Sequence, residues 1–172
     1  FDIIGVEPSS IAVEHAPVSI KARIYENLAS YKSEQKFNVI TLWHVLEHLP
    51  NLSTAFRDIK DRLSKKGHLF IAVPNPNSWD SNYYGPHWAG YDVPRHLYHF
   101  GKKAMIGFLQ PYGLRIVETI PMTFDAYYVS ILSERHLNNP YSFMKGLYNG
   151  YRSNKSAHTS QQYSSLLYVI GA

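Results

Sequence analysis

The feature that most constrains this chain is a strand–helix–strand run between residues 37 and 73. Phe37-Asn-Val-Ile-Thr-Leu42 reads as a short apolar strand. Leu52, Phe56, Ile59 and Leu63 then recur at steps of four, three and four, which gives a helix one apolar face. Lys65, Lys66 and Gly67 close that helix with basic residues near its carboxyl end and a glycine past it. His68-Leu-Phe-Ile-Ala-Val73 is the next strand, ended by Pro74-Asn75-Pro76. Strands joined by helical crossovers lie parallel. The expected fold is therefore α/β, a Rossmann-like doubly wound sheet, mostly parallel, with helices on both faces. Ligands of such sheets gather at the carboxyl ends of the strands.

The other elements fit around this unit. Phe1 to Glu7 reads as a strand running into Pro8-Ser9-Ser10, a helix cap, and Ser10–Ala16 as a short helix stopped by Pro17. Ile20–Ile24 alternates and reads as a second short strand. Residues 101–112 are expected to be helical and Leu114–Ile120 a strand. Helices are expected over 124–137 and 141–151, a polar loop over 153–162, and a final strand over Tyr163–Ile170. The last two strands lack the regular alternation with helices and can pair antiparallel. With 172 residues, one domain is expected, carrying a helical insertion at about 124–155.

Residues 77–100 break the pattern. They hold Trp79, Tyr83, Tyr84, Trp88, Tyr91, Tyr98 and Phe100 among Gly85, Pro86, Gly90 and Pro94. The segment is too long for an ordinary connection and too aromatic for disorder. It is expected to form an ordered lid, with Trp79, Tyr84, Trp88 and Tyr91 around an acceptor pocket.

Composition excludes several classes. With 0 Cys there is no disulfide scaffold, thiolate metal site or cysteine nucleophile; a cytoplasmic location fits this. The net charge is +4, with Lys and Arg outnumbering acids in the C-terminal half. That reads either as solvated surface or as a face meeting an anionic partner or membrane surface. No long basic run points to nucleic acid, and no apolar run is long enough to span a membrane.

Three groups of residues can carry chemistry. Glu7, at a strand tip before a helix cap, can accept both hydroxyls of a ribose or can be a plain surface acid. His44, Glu47 and His48 share one side if helical; they read as metal ligands, as a general base, or as a polar turn before Pro50. His87, Arg95, His96 and His99 sit in the aromatic segment. There Arg95 can clamp an anion and the histidines can move protons near neutral pH, or serve aromatic packing.

With Trp43-His-Val-Leu-Glu-His-Leu49, Pro74-Asn75-Pro76 and Pro94-Arg-His-Leu-Tyr-His-Phe100 standing in this order, the chain resembles class I S-adenosylmethionine-dependent methyltransferases of a bacterial branch. The resemblance implies a seven-stranded sheet with an antiparallel final strand. It implies Glu7 on the cofactor ribose with Pro8 and Ser9 beside it, and Leu42, Trp43 and His44 along the methionine and adenine side. It implies methyl transfer to a small-molecule or envelope-related acceptor at oxygen, with His44, His48, His96 or His99 as base. The acid expected at the second position of the Phe37 strand is Asn38 here. The family's first strand and acidic Gly-rich loop have no match, so the chain is expected to be N-terminally incomplete. A looser resemblance, to methyltransferases with Glu-x-x-Glu-His at this point, implies a divalent metal on His44, Glu47 and His48, with His96 or His99 as a further ligand. Two rival readings are a nucleotide-binding oxidoreductase and a non-catalytic methyltransferase-like module. A peripheral membrane or homodimer contact is a further expectation.

Overall fold

The computed structural model describes residues 2–172. Phe1, where the first expected strand opens, lies outside them. That strand is short, β1 (Gly5–Val6), and pairs in parallel with β2 (Ile24–Tyr25). Between them lie α1 (Ser10–Glu14) and α2 (Val18–Lys21). Ser9 caps α1, its Oγ accepting from the Ala12 amide at 3.3 Å. Of the strand expected over Ile20–Ile24 only Ile24 is extended, as the first residue of β2. Amides of Ile20 and Lys21 bond the Pro17 carbonyl, so a proline-started turn takes residues whose alternation suggested a strand.

A second sheet holds β3 (Phe37–Trp43), β4 (Leu63–Pro74), β5 (Arg115–Pro121) and β6 (Ser165–Gly171), in the order β3-β4-β6-β5. β3 and β4 are parallel, joined through α3 (Leu52–Arg62). β6 inserts between β4 and β5, antiparallel to both, as expected of the final strand. Leu63, assigned from sequence to the α3 face, instead opens β4 and pairs with Phe37.

One side of this sheet forms the main core. Leu69, Ile71 and Val73 of β4 and Leu166, Tyr168 and Ile170 of β6 alternate onto it. Phe56 of α3 and Met105 and Leu109 of α5 (Lys102–Leu109) pack there. The Phe56 ring meets Phe108 at 4.6 Å and Tyr112 at 4.8 Å, edge to face.

Residues 77–100 are ordered by packing rather than by ladders. α4 (Trp79–Tyr84) is followed by two single 3-10 turns. This segment lies against a hairpin of α6 (Asp125–His136) and α7 (Ser142–Ser160). The loop expected over 153–162 is helix up to Ser160. Gly146, Gly150, Ser153 and Ala157 recur at helical steps, a buried stripe of small residues. The polarity of 153–162 suggests a loop, but the spacing of these small residues lets α7 lie close on α6.

Candidate functional site

β3 ends at Trp43, and the chain turns sharply. His44 has φ of 50°, in the left-handed region that non-glycine residues rarely enter. Its amide still bonds the Ala72 carbonyl of β4. A single 3-10 turn over Leu46–His48 follows, so the expected common helical face of His44, Glu47 and His48 does not form. The turn buries the Glu47 carboxylate beneath the strand end.

His44 is held by two carboxylates. Its Nδ1 lies 3.3 Å from Glu47 Oε1 and its Nε2 lies 3.3 Å from Asp125 Oδ2 at the start of α6. Asp125, then Glu47, raise the imidazole from its ordinary 6.5 to about 9. The two carboxylates thus favour the imidazolium form of His44 at neutral pH and occupy both of its nitrogens. Asp125 was not singled out from sequence; nothing near it in the chain marks it.

The aromatic segment brings other histidines back to Glu47. The Leu97 amide bonds the Glu47 carbonyl at 2.8 Å. His96 donates Nδ1–H to the Gly90 carbonyl at 3.0 Å. His48 donates Nδ1–H to the Arg95 carbonyl at 3.0 Å. A carbonyl only accepts, so a hydrogen sits on each Nδ1, and the neutral form of either ring has its lone pair on Nε2. The two rings lie 4.6 Å apart, edge to face. Glu47, His48 and His96 each offer an atom within 4.8 Å of the others. Burial lowers the His96 imidazole from its ordinary value, which keeps it neutral. Glu47 Oε2 is buried and has no hydrogen-bond partner. Such an orphan oxygen is costly unless a ligand meets it.

The remaining expected residues are spread more widely. His99 is exposed and donates Nε2–H to the Tyr91 carbonyl at 3.1 Å, the opposite tautomer. His87 is exposed. Arg95 is exposed and binds Asp92 at 2.8 Å. Glu7, half-buried, stands just past β1 and accepts the Ser9 amide at 2.8 Å on Oε1. Pro8 and Ser9 are exposed beside it. Leu42 is half-buried and Trp43 exposed at the end of β3. Asn38 accepts from Ser64 Oγ at 3.0 Å. A groove of about 640 Å³ between α5 and β5 contains none of these residues.

Two aromatics expected to line an acceptor pocket serve a buried network instead. Trp88 donates Nε1–H to Asp80 Oδ2 at 2.7 Å. Tyr84 donates its hydroxyl to Glu134 Oε1 at 3.1 Å. Asp80 also accepts from Ser153 at 2.6 Å and Ser164 at 2.7 Å, and Glu134 from Asn139 and Asn149. The network ties the aromatic segment to α6, α7 and the start of β6. It thereby fixes the Gly90 and Tyr91 carbonyls that orient His96 and His99.

Comparison with solved structures supports the fold. The [4+2]-cyclase SpnF aligns with a TM-score of 0.59 at 14% identity, over 97% of this chain and 64% of that one. A putative sarcosine dimethylglycine methyltransferase from Galdieria sulphuraria gives 0.59 at 10% identity, over 96% of this chain and 67% of that one. A methyltransferase from Thiobacillus denitrificans, in complex with S-adenosyl-L-homocysteine, gives 0.50 at 10% identity, over 97% and 73%. The chain thus spans less than two thirds of the first of these. A comparison with curated proteins finds no match. A family model described as a methyltransferase domain matches residues 1–119, which include β1 to β4 and the histidines around Glu47. On that match, the chain belongs to the methyltransferase domain family.

Proposed function

We propose that this chain binds S-adenosylmethionine and transfers its methyl group to an oxygen of a small-molecule or envelope-related acceptor. The observation that carries the reading is the pair of oriented rings. His48 and His96 both spend Nδ1–H on a backbone carbonyl, and His96 turns its Nε2 toward Glu47 Oε1 at 4.0 Å. A hydroxyl must lose a proton as its oxygen is methylated, and a fixed neutral imidazole is suited to take it.

The residues present fit the adenosyl part of the cofactor. Glu7 keeps one carboxylate oxygen on the Ser9 amide and has a second for a ribose diol. Leu42 and the exposed Trp43 offer apolar surface at the end of β3, in the other sheet. When bound, S-adenosylmethionine supplies a sulfonium methyl open to in-line attack. The chain supplies orientation and proton removal. His96 Nε2 takes the acceptor proton, with His48 as its neighbour. His44, charged between Asp125 and Glu47, positions Glu47 rather than acting as base. Exposed Leu97 and Phe124, next to these groups in the chain, offer apolar surface against which an acceptor can pack. The solved complex of the Thiobacillus methyltransferase with S-adenosyl-L-homocysteine supports the choice of cofactor.

Calorimetric titration with S-adenosylhomocysteine and with NAD tests this. Binding of the first and not the second is expected. Binding of NAD alone would return the chain to the oxidoreductase reading, and binding of neither to the non-catalytic one.

A second reading has its own support. The orphan Glu47 Oε2 and the approach of Glu47, His48 and His96 to within 4.8 Å of one another fit a divalent ion, which would position and acidify an acceptor hydroxyl. Its ligands would be Glu47, His48 and His96. His44 leaves the expected set because both its nitrogens face carboxylates. The backbone carbonyls behind His48 and His96 are the partners that ligating imidazoles usually have. Cobalt absorption spectra of the chain, compared with the His96→Ala variant, test it. No metal-dependent band in the parent chain rejects the ion.

A further inference from the structure

The α6–α7 hairpin carries a surface that the reaction does not use. At its tip Leu137, Tyr141, Phe143 and Met144 are exposed, Tyr141 at 75% and Met144 at 68%. Along α7, Met144, Tyr148, Tyr151 and Lys155 follow at steps of four, three and four. They form the face opposite the small residues that pack on α6. The charge on this hairpin is one-sided. From Ala126 to Ala172 the only acid is Glu134, which is fully buried, while Arg135, Lys145, Arg152 and Lys155 are exposed. The rest of the chain is nearly neutral. Arg152 lies over the rings of Trp79 at 4.7 Å and Tyr148 at 5.8 Å, so cation and aromatic surface are interleaved.

We infer that this hairpin docks the protein on an anionic lipid bilayer, with Tyr141, Phe143 and Met144 entering the headgroup layer and Arg135 and Lys155 meeting lipid phosphates. Exposed aromatic and thioether side chains beside a cationic surface free of exposed acid are what an interfacial helix needs. A second copy of the chain is a poorer occupant, because a twofold interface would set these cations against themselves. The contact is peripheral: no helix of the described residues is long and apolar enough to cross a membrane. Lys155 lies near the start of α6, where Asn154 donates to the Thr123 carbonyl, but the tip of the hairpin is separate from Asp125. α6 runs from that residue to the tip, about 18 Å at 1.5 Å per residue, so tip variants leave the His44 ion pairs in place.

The test is sedimentation of the chain with two kinds of vesicle, phosphatidylcholine alone and phosphatidylcholine with roughly a quarter phosphatidylglycerol, which supplies an anionic surface. Binding at least about tenfold tighter to the anionic vesicles, and weaker in high salt, is expected. A Tyr141→Ser, Phe143→Ser, Met144→Ser variant should lose about tenfold or more. Arg135→Glu and Lys155→Glu should each cost about fivefold or more. All should melt at the parent temperature, since the side chains changed are exposed. Four outcomes overturn the inference: no binding to either vesicle, equal binding to both, unchanged binding by the tip variant, or an ultracentrifugation dimer that the tip variant dissolves. Release from the vesicles by a single-stranded oligonucleotide at equal concentration would favour nucleic acid and also overturn it.

Discussion

His44 Nε2 and Asp125 Oδ2 stand 3.3 Å apart, joining the carboxyl end of β3 to the first turn of α6. With Glu47 on the other nitrogen, the imidazole is gripped from both sides. This ion pair is what couples the sheet to the α6–α7 hairpin at the site. Its titration should appear in the stability of the metal-free protein. The folded-state value is raised to about 9 against an ordinary 6.5. The stabilisation is therefore complete below pH 6.5, declines from there, and is gone above about pH 9. His96 acts oppositely: its lowered value makes the folded state lose stability as pH falls below its ordinary range. Melting of the parent chain in chelator should drop by a few degrees between pH 6.5 and 9. Allowing for screening of a partly exposed ring, that is about 1 kcal/mol. Asp125→Asn should flatten the slope. An unchanged slope in Asp125→Asn would remove the ion pair from the account.

The proposed proton-transfer role separates His96 from His44 and Glu7. His96→Ala should lower kcat on a hydroxyl acceptor by about 100-fold or more with cofactor affinity unchanged. Glu7→Ala should weaken cofactor binding by about tenfold with kcat nearly intact at saturation. Steady-state kinetics with calorimetry reads both. A kcat unaffected by His96→Ala would pass the role to His48, whose ring presents the same nitrogen.

How much of this was legible in the sequence follows from where the partners lie. The β3–α3–β4 unit was readable because its periodicities are local. The strand ends, and with them the neighbourhood of Glu47 and His48, follow from it. His96 reaches Glu47 because the Leu97 amide bonds the Glu47 carbonyl, a long-range contact that no spacing reveals. Asp125 is an unremarkable acid until α6 is placed. Ser153 and Ser164 look like surface residues until they are seen donating to a buried carboxylate. The run 153–162, which Ser153 opens, reads as a loop because it is polar but for Ala157. Small polar residues say loop by composition and helix contact by spacing, and here spacing wins.

Asp80 should be the most sensitive polar residue away from the site. It is fully buried and accepts from Trp88, Ser153 and Ser164. Asp80→Ala leaves three buried donors without an acceptor and should cost about 3 kcal/mol or more. Asp80→Asn keeps the volume and should cost about 1 kcal/mol. Urea unfolding monitored by tryptophan fluorescence measures both, with Trp88 reporting directly. Equal, small losses in both variants would mean that the network is not what holds residues 77–100 in place.

The last expectation concerns the helix contact that carries the proposed docking surface. A Cβ added at Gly146 would stand 2.5 Å from the Ile131 Cα, and one at Gly150 would stand 2.7 Å from the Tyr127 Cα. These neighbours are backbone atoms, so the helices must separate; no side chain can swing aside. Alanine normally helps a helix by about 1 kcal/mol over glycine. Here the overpacking should outweigh that gain, so Gly146→Ala and Gly150→Ala should each destabilise by about 1–3 kcal/mol. Separation at Gly150 also moves α6 next to Asp125, so Gly150→Ala should lower the His44 imidazole toward its ordinary value, as read by NMR titration. Gly146, farther from the start of α6, should leave that titration nearly unchanged. Stabilisation by either alanine would show that α6 and α7 do not approach this closely, and would loosen the link from hairpin to site.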